Sequence, residues 1–324
     1  MPKVIWYFRK QRVLGNFSIE NSFRELLPYF KDTSWEVEWR EASWFSQGLL
    51  NRIRIAWEAR NLQADIIHIT GDIHFAALLL GQRRALLTIH DNGYLNEHRG
   101  VKRWVMKMLW LTYPLRQCTR VVAVSQATKA DILKHTNYPP SQIEVIPTCI
   151  PSHFRPRTTL PQNPKPVLLH IGLAANKNLR GHALAIKGMN VRLRIIGEPS
   201  AADHAMLREL HLDYEWLTRL TDEQMQEAYA DADVLLFCST AEGFGMPILE
   251  AKSVGLPVIT SNIEPMNDVG AGYAHLVDPN NPSEIREKIH SVLALSAVLP
   301  KTKIPTDASL RAASYGEVYK SLMA

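Results

Sequence analysis

Residues 241–251 read AEGFGMPILEA, and this stretch decides the fold because an apolar run precedes it and a helical pattern follows it. The run Val234–Cys238 has the length and composition of a buried strand. Gly243 and Gly245 let backbone amides approach a ligand closely. Pro247 suits a first helical turn, where its missing N–H leaves no hydrogen bond unmade. The stretch therefore predicts a strand–turn–helix unit whose helix start attracts anions and hydroxyl oxygens.

The chain on both sides of this stretch alternates short apolar runs with amphipathic segments. That alternation is typical of βαβ units and a parallel sheet. The segment from Ile146 to Pro166 contains six prolines and no helical period, which indicates a hinge. We therefore predict an α/β fold of two doubly wound domains facing across a cleft. The predicted strands are Val4–Phe8, Trp35–Trp39, Asp65–Ile69, Ala85–Ile89, Arg120–Val124, Glu144–Ile146, Val167–Ile171, Leu193–Ile196, Glu215–Leu217, Val234–Cys238, Pro257–Thr260 and His275–Val277.

Composition excludes several classes of protein. The 324 residues are 46% apolar and 21% charged, which is ordinary for a globular chain and unlike a collagen-like or disordered one. No apolar run reaches the length of a membrane span, and the first residues do not form a signal peptide. Three cysteines without CxxC spacing form neither a metal site nor a disulfide framework. We expect a cytoplasmic protein with reduced thiols.

Charge is distributed unevenly along the chain. Residues 1–155 carry a net charge of +8 and residues 156–324 a net charge of −3. An anionic partner should therefore meet the first half. Nucleic acid is not expected, because the chain has no helix-turn-helix spacing, aromatic RNA-binding strand or paired Cys/His motif.

Glu242 and Glu250 are separated by seven residues, and this Glu-x7-Glu stretch resembles the signature of the group 1 (family 4) retaining glycosyltransferases of the GT-B fold. The similarity continues on both sides and covers most of the chain in the right order. The further matching segments are Leu168–Gly172 with Asn176–Asn178, Thr221–Leu236, Gly255–Ser261, Leu276–Pro279, Thr88–Asp91 and Val122–Ser125. The resemblance implies two Rossmann-like domains. It also implies an enzyme that moves a hexose-type sugar from a nucleotide-diphosphate sugar to an acceptor hydroxyl.

The resemblance also implies roles for individual residues. His90, Lys177 and Glu242 would be the catalytic residues, with Lys177 pairing with the diphosphate and His90 contacting the transferred sugar. Glu250 would accept hydrogen bonds from the ribose. The implied donor-binding residues are Gly15, Asn16, Gly172, Lys177, Gly197, Glu242, Gly243, Phe244, Gly245, Met246, Pro247 and Glu250. The resemblance implies residues 1–155 as the acceptor-binding domain, 156–306 as the donor-binding domain, and 307–324 as a helix that crosses back.

The sequence departs from the family pattern at two places. Leu173 follows Gly172 where the family has an arginine, so one of two phosphate-pairing cations is absent unless Arg9, Arg12 or Arg180 replaces it. The N-terminal loop has Gly15 alone where two glycines are usual. We expect no cofactor and no metal, and we interpret Asp231-Ala-Asp233 as a helix end before a buried strand rather than a metal motif.

A helical wheel over residues 98–116 predicts a core stripe and an opposite basic face. The predicted core stripe is Val101, Trp104, Val105, Met108, Leu111, Thr112 and Leu115. Cations interleaved with exposed apolar side chains suit an anionic membrane surface, although a plain solvated face is the alternative. The predicted membrane-surface residues are Arg99, Lys102, Arg103, Met106, Lys107 and Trp110, and Arg52, Arg54 and Trp57 on a helix over 45–62 would extend them.

The resemblance and the basic face together lead us to expect a metal-independent retaining hexosyltransferase of bacterial-type surface polysaccharide or lipopolysaccharide assembly. Its partners would be a nucleotide-diphosphate sugar, a polysaccharide or lipid-linked acceptor, and an anionic membrane surface. Two alternatives remain open: a catalytically silent carbohydrate- or nucleotide-binding relative, and a nucleotide-sugar epimerase of the same fold. The sequence does not identify the donor sugar, the nucleotide base or the acceptor.

Overall fold

The computed structural model describes residues 1–10, 18–31, 33–81, 83–97, 99–295 and 308–324. The chain divides into two compact units. The first comprises Met1–Cys149 and the C-terminal segment Thr306–Ala324, and the second comprises Ile150–Pro305. Each unit has its own six-stranded sheet.

The sheet of the first unit is parallel throughout, with strand order β2-β1-β3-β4-β5-β6. Its strands are β1 Lys3–Phe8, β2 Glu36–Glu41, β3 Ile66–Ile69, β4 Ala85–Ile89, β5 Arg120–Ala123 and β6 Ile143–Val145. The direction of strand succession reverses beside β1, between β1 and β3. Loops that leave two strands on either side of such a reversal diverge, and the crevice between them is where ligands of doubly wound sheets bind.

The sheet of the second unit is also parallel, with strand order β12-β11-β10-β7-β8-β9. Its strands are β7 Val167–Ile171, β8 Arg192–Ile196, β9 Tyr214–Leu217, β10 Val234–Phe237, β11 Val258–Ser261 and β12 His275–Val277. Here the reversal lies between β7 and β10. The loop before the AEGFGMPILEA helix therefore emerges next to the loop that follows β7.

All twelve predicted strands are present in the described part of the chain, and the doubly wound α/β class is confirmed. The strands were recognisable because both faces of a parallel sheet are covered by helices, so that its strands become continuous apolar runs. In β4, for example, all five residues are buried.

The α-helices of the described residues cover the two sheets. They are α1 Ser18–Arg24, α2 Leu49–Asn61, α3 Tyr94–Glu97, α4 Gly100–Lys107, α5 Tyr113–Gln117, α6 Gln126–His135, α7 Leu179–Ile186, α8 Ala201–Glu209, α9 Asp222–Ala230, α10 Met246–Val254, α11 Met266–Val269, α12 Pro282–Ala294 and α13 Ala308–Met323. None of these described helices is both long enough and apolar enough to cross a bilayer.

The wheel drawn over residues 98–116 is wrong for α4, because a π-helical turn at Met108–Thr112 interrupts the helix. A π turn bonds residue i to i+5 and so holds one residue more than an α turn. That extra residue rotates the two ends of the helix by about 100° relative to a regular wheel. Leu111 and Leu115 are buried as predicted, whereas Val101 and Trp104 of the same predicted stripe are 78% and 62% exposed.

The same rotation overturns two of the predicted membrane-surface residues. Trp110 is buried against Phe75, with 5.0 Å between ring centroids, and the Arg52 guanidinium lies 4.5 Å from the centroid of the Trp110 ring. Met106 packs against the core of the first unit. The basic residues Arg99, Lys102 and Arg103 are exposed, as predicted, and Lys107 is partly exposed.

The helix predicted over 45–62 begins at Leu49, and its apolar stripe faces outward. Leu49, Ile53 and Trp57 are exposed, while the core side of α2 consists of Ile55, Ala56 and Ala59. The small side chains on this side pack into the core of the first unit, and the large ones are left on the outer surface. The stripe is therefore a surface feature and not part of the core.

Helix α13 packs on the face of the first sheet that also carries α1. Its buried residues include Tyr315 and Tyr319, whereas Leu310 is exposed. The Tyr319 hydroxyl accepts a hydrogen bond from Trp6 Nε1 at 2.7 Å and lies 2.8 Å from His68 Nδ1. These buried polar contacts fix the register of the helix on the sheet.

Candidate functional site

The second unit brings Lys177 and Glu242 together at the carboxyl edge of its sheet. Lys177 Nζ lies 2.6 Å from Glu242 Oε1, and the two side chains are 18% and 11% exposed. Lys177 follows β7 and Glu242 follows β10, so the pair lies where the strand order reverses. The Lys177 ammonium also lies 4.9 Å from the centroid of the Phe237 ring. A cation held in this crevice is placed to meet an anionic ligand.

Two neighbouring asparagines hold the loops that carry this pair. Asn176 Nδ2 donates to the Ala241 carbonyl at 2.8 Å. Asn178, in the left-handed conformation with φ of 58°, donates to the carbonyls of Cys238 at 3.0 Å and Pro279 at 2.8 Å. One side chain therefore links the loops after β7, β10 and β12. Sequence reasoning matched these asparagines to the family but assigned them no role.

Gly172 gives Lys177 the space that it occupies. Its φ is +85°, and a Cβ at this position would lie 3.2 Å from Cγ and Cε of Lys177. Its N–H donates to the Ile196 carbonyl at 2.9 Å. A side chain here would meet the lysine stem and strain the backbone. The structure therefore places Gly172 beside Lys177 in the same crevice.

Gly245 begins helix α10, with φ of +98° and Pro247 in the first turn. A Cβ on Gly245 would lie 3.2 Å from Ile248 Cδ1, so the turn fits closely over its own helix. Gly243, Phe244 and Met246 belong to the same turn and are partly exposed. The predicted strand–turn–helix unit is thus present, with the helix start at the carboxyl edge of β10.

Glu250 lies one turn into α10 and is bonded to Tyr229 of α9. The Tyr229 hydroxyl donates a short hydrogen bond to Glu250 Oε2. Burial raises the pKa of Glu250 to about 7, although the hydrogen bond from Tyr229 and the charge of Lys177 both act to lower it. Tyr229 was not predicted as a site residue, since sequence alone does not show which residue of α9 faces α10.

Gly197 and Leu173 pack against each other at the end of β8. Gly197 has φ of +150°, and a Cβ there would lie 3.0 Å from Leu173 Cδ1. Leu173, the residue that replaces the family's arginine, therefore makes an apolar contact. Arg180 is exposed on α7. Gly15, Asn16 and Arg12 lie outside the described residues.

His90 belongs to the first unit, at the carboxyl end of β4. Its Nε2 donates to the Thr70 carbonyl at 2.9 Å, which leaves Nδ1 unprotonated in the neutral ring. Burial lowers the pKa of His90, so the neutral form is the one present near pH 7. The adjacent Asp91 accepts from the Gly93 N–H at 2.8 Å and closes a turn.

The two aspartates that precede β10 are engaged in structural contacts. Asp231 pairs with Arg194 at 3.0 Å, and Asp233 accepts from the Val167 N–H at 2.8 Å. Across the described ranges, no three His, Cys, Asp or Glu side chains are grouped to hold a metal ion.

Two family models match consecutive parts of the chain. Residues 154–306 match the model described as glycosyl transferases group 1, and residues 33–154 match that of glycosyltransferase family 4. The chain belongs to the group 1 (family 4) glycosyltransferases. The two matches meet at the boundary between the two sheets, so this glycosyltransferase carries one family segment in each unit.

Known proteins resemble this glycosyltransferase to different extents. The O-antigen chain mannosyltransferase B of Escherichia coli is 29% identical over 266 residues, which is 74% of this chain and 68% of that protein. The serotype-specific mannosyltransferase WbdA of Escherichia coli is 24% identical over 217 residues, or 58% of this chain, and this region spans only 27% of WbdA. The crystal structure of Anabaena HepE in complex with UDP and glucose has a TM-score of 0.66 at 18% identity and is covered completely, as is this chain. That likeness shows a shared GT-B fold.

Proposed function

We propose that this glycosyltransferase moves a hexose-type sugar from a nucleotide-diphosphate sugar to a hydroxyl of a surface-polysaccharide or lipopolysaccharide acceptor, with retention of anomeric configuration. The observation that carries the proposal is the Lys177–Glu242 pair beside the start of α10, at the switch point of the second sheet. The relatives named as O-antigen chain and serotype-specific mannosyltransferases support an acceptor in surface polysaccharide assembly and favour mannose as the sugar. The HepE complex with UDP and glucose supports a nucleotide donor.

The chemistry follows from where charge develops. The bond between the anomeric carbon and the distal phosphate breaks, and negative charge grows on the departing diphosphate. The Lys177 ammonium and the start of α10 stabilise that charge most in the transition state. The acceptor oxygen bonds to the anomeric carbon on the face that the phosphate leaves, and its proton passes to the departing phosphate oxygen. We propose that neither a protein nucleophile nor a metal ion is needed.

Two further residues would position the donor. Glu250 accepts hydrogen bonds from the ribose hydroxyls in its ionised form. Nδ1 of the neutral His90 ring is an acceptor for a hydroxyl of the transferred sugar, because its Nε2 proton is already given to the Thr70 carbonyl.

The test is transfer by the purified full chain from GDP-mannose, UDP-glucose, UDP-galactose and UDP-N-acetylglucosamine to an O-antigen oligosaccharide. We expect one donor to give a product whose anomeric configuration, read by NMR, matches that of the donor, with no loss of rate in EDTA. An inverted product contradicts retention. Free sugar released without acceptor indicates an epimerase-type reaction, and nucleotide binding without turnover on any acceptor indicates a catalytically silent relative.

We also propose that the first unit docks reversibly on an anionic membrane, through a surface that differs from the one predicted by the wheel. We define the apolar patch as Leu49, Leu50, Ile53 and Trp57 of α2 with Val101, Trp104 and Val105 of α4, all exposed. Arg52 of α2 stacks on Trp110, which lies in the π turn that follows α4, so this contact connects α2 to the continuation of α4. Exposed cations such as Arg54, Lys102 and Arg103 lie on the same helices. Apolar side chains beside cations fit the headgroup zone of anionic lipid.

Vesicle sedimentation tests this surface. The wild-type chain should bind phosphatidylglycerol-containing vesicles at low salt and pure phosphatidylcholine vesicles much less. The double variant Trp57→Ser/Trp104→Ser should lose most of that binding, whereas Leu310→Ser removes an equally exposed apolar side chain from α13 and should not. Absence of wild-type binding, or an equal effect of Leu310→Ser, removes the docking proposal and leaves the transfer proposal untouched.

A further inference from the structure

Three buried polar atoms of the first unit have no hydrogen-bond partner in the described part of the chain: Glu20 Oε2, Thr112 Oγ1 and Arg311 Nη1. Glu20 and Arg311 carry charge, whereas Thr112 is a neutral hydroxyl within the π turn. Glu20 is only 1% exposed, and its other oxygen accepts from Arg9 Nε at 3.0 Å. Leaving a buried polar group unpaired costs about 1–3 kcal/mol, and more when the group is charged. Such atoms are rare in folded proteins and call for an explanation.

The contacts of α13 place Arg311 at the carboxyl edge of the first sheet. Tyr315 lies 3.4 Å from Thr88, the last residue but one of β4, through their hydroxyl oxygens. Further along the helix, Met323 Sδ accepts from Arg84, which precedes β4. The helix therefore runs from the carboxyl edge to the amino edge. Arg311 precedes Tyr315 by one turn and lies about 6 Å nearer the carboxyl edge.

Glu20 lies at the same edge, on the neighbouring helix. The rings of Phe23 and Tyr315 pack with 5.7 Å between centroids, and Glu20 precedes Phe23 by about one turn of α1 just as Arg311 precedes Tyr315. The Arg9 bound by Glu20 also pairs with Asp72 at 3.0 Å. Arg9 follows β1 and Asp72 follows β3, so the cluster lies where the strand order of the first sheet reverses.

Helix physics does not explain a cation at this position. Arg311 lies at the N-terminal end of α13, where the helix dipole disfavours positive charge. No hydrogen bond or ion pair of Arg311 is found among residues 1–10, 18–31, 33–81, 83–97, 99–295 and 308–324. Arg9, by contrast, is neutralised by two carboxylates. Arg311 is thus a half-buried guanidinium, without a carboxylate of its own among the described residues, at an edge where doubly wound sheets bind ligands.

We propose that Arg311 and Glu20 form a subsite for a hydroxylated ligand that bears phosphate. The guanidinium of Arg311 donates to a phosphate group, for which its planar fork is well suited. The enclosed Glu20 Oε2 accepts from a hydroxyl of the entering ligand. The inference rests on the proposed sugar transfer, in which phosphate has two sources: the diphosphate of the donor, or a phosphate carried by the acceptor.

The test compares Arg311→Ala with Arg311→Lys and with a matched control, Arg116→Ala. Arg116 is exposed in the same unit and lies near the amino end of β5, far along the strands from the subsite. Calorimetric titration with GDP and UDP measures nucleotide affinity and tests whether the phosphate is that of the donor. Steady-state kinetics compares KM for a phosphate-bearing acceptor with KM for its phosphate-free analogue and tests whether the phosphate is that of the acceptor.

Each source gives its own pattern. If the phosphate is the donor's, Arg311→Ala weakens nucleoside diphosphate binding about tenfold or more and leaves the acceptor KM unchanged. If it is the acceptor's, nucleotide affinity is unchanged and KM rises about tenfold for the phosphate-bearing acceptor alone. Arg311→Lys should restore part of the loss in either case, since it restores the charge without the fork. Glu20→Gln should raise KM for whichever substrate, donor or acceptor, carries the phosphate that Arg311 binds.

Stability separates this role from a structural one. Removing an unpaired half-buried cation should leave the midpoint of thermal unfolding unchanged or raise it, whereas loss of a structural arginine lowers it. Unchanged ligand binding and kinetics in Arg311→Ala, as in Arg116→Ala, overturn the subsite.

The subsite can also be tested if the proposed sugar transfer is not observed. A wild-type chain that transfers no sugar can still be titrated with inorganic pyrophosphate. Weaker pyrophosphate binding by Arg311→Ala than by the wild type then supports the subsite. Equal binding by the two, or no binding by either, contradicts it.

Discussion

The Nδ1 atoms of His170 and His182 lie 2.8 Å apart in the interior of the second unit. His170 Nε2 donates to the Gly172 carbonyl at 2.7 Å, and His182 Nε2 accepts from the Cys238 N–H at 3.1 Å. These contacts require both rings to be neutral, with the proton between them carried by His182 Nδ1. The pair therefore joins the loop that holds Lys177 to the loop that holds Glu242.

We predict that His182→Phe destabilises the chain and slows transfer. The substitution leaves the Cys238 N–H and His170 Nδ1 buried without partners, at a cost of about 1–3 kcal/mol each. Urea unfolding should show this loss, and kcat should fall because one of the links between the two loops is lost. His290→Phe, which changes an exposed histidine of α12, is the control and should alter stability by less than about 0.5 kcal/mol. Equal effects of the two substitutions would refute a role for the pair.

The pair also predicts how stability depends on pH. Burial lowers the pKa of His170 to about 4 and that of His182 well below 6.5. Between pH 6.5 and 4 the unfolded chain therefore takes up protons that the folded chain does not, and the free energy of unfolding falls as pH falls. Unfolding curves for the wild type and a His170→Asn/His182→Gln variant should differ in slope over this interval. Parallel curves would contradict the assignment.

We predict that Lys177→Ala lowers turnover by about 10²–10³-fold, the usual effect of removing one group that stabilises transition-state charge. Loss of the Lys177–Glu242 pair could also act through stability, so the matched control is Lys165→Ala. Lys165 pairs with Asp213 at 2.5 Å in the same unit, but it precedes β7 and lies at the amino edge. Steady-state kinetics should show the large loss for Lys177→Ala alone. A normal kcat for that variant would remove Lys177 from the mechanism.

Glu250 predicts a pH dependence of donor binding. A pKa of about 7 means that its carboxylate is mostly protonated at pH 6 and mostly ionised at pH 8. Only the ionised form accepts from both ribose hydroxyls, so the affinity for the cognate nucleotide sugar should rise up to about tenfold across this range. Glu250→Gln should bind more weakly at pH 8 and show a flat profile. A wild-type affinity that does not change with pH would argue against contact between Glu250 and the ribose.

The raised pKa of Glu250 has the opposite effect on the stability of the ligand-free chain. Between about pH 4.5 and 7 the folded chain keeps a proton that the unfolded chain has lost, so this group lowers stability as pH rises through that interval. Chemical unfolding at several pH values should show less of this decline in Glu250→Gln. If stability declined with pH as steeply in Glu250→Gln as in the wild type, the decline would be caused by a group other than Glu250.

Gly172→Ala and Gly188→Ala form a matched pair of glycine substitutions. Both residues have positive φ, +85° and +77°, so the backbone strain of about 1–2 kcal/mol is similar. A Cβ at 172 would meet the Lys177 side chain at 3.2 Å, whereas a Cβ at 188 would meet nothing within 4 Å. We expect similar losses of thermal stability, but a further loss of about 10–100-fold in kcat only for Gly172→Ala. Equal kinetics in the two variants would show that the contact does not position Lys177.

Much of the fold was predictable from sequence because the strands are buried on both faces. A run such as Val234–Phe237 must be apolar throughout, and no other short element requires this so strictly. The Gly-rich turn before α10 was predictable for a related reason, since it needs particular residue types at fixed spacing. Both signals are local, so one sequence is sufficient to find them.

The features that sequence did not reveal depend on contacts between distant segments. Nothing local pairs Tyr229 with Glu250, or His170 with His182. The sequence did not show which face of α2 is buried, because small residues such as Ala56 and Ala59 carry the core contact, while the large residues that dominate a hydrophobicity pattern do not. Periodicity locates an amphipathic helix, but it does not show which side a neighbouring element covers.

The π turn at Met108–Thr112 has an evolutionary implication. Removal of a single residue within it would restore regular α winding and turn Trp104 toward the interior, without any change in the identity of the residues around it. Homologous chains that lack this residue should therefore bury the side chains at the positions of Val101 and Trp104, and apolar residues should be retained there. Insertion or loss of one codon is thus sufficient to create or remove an exposed apolar surface on this helix.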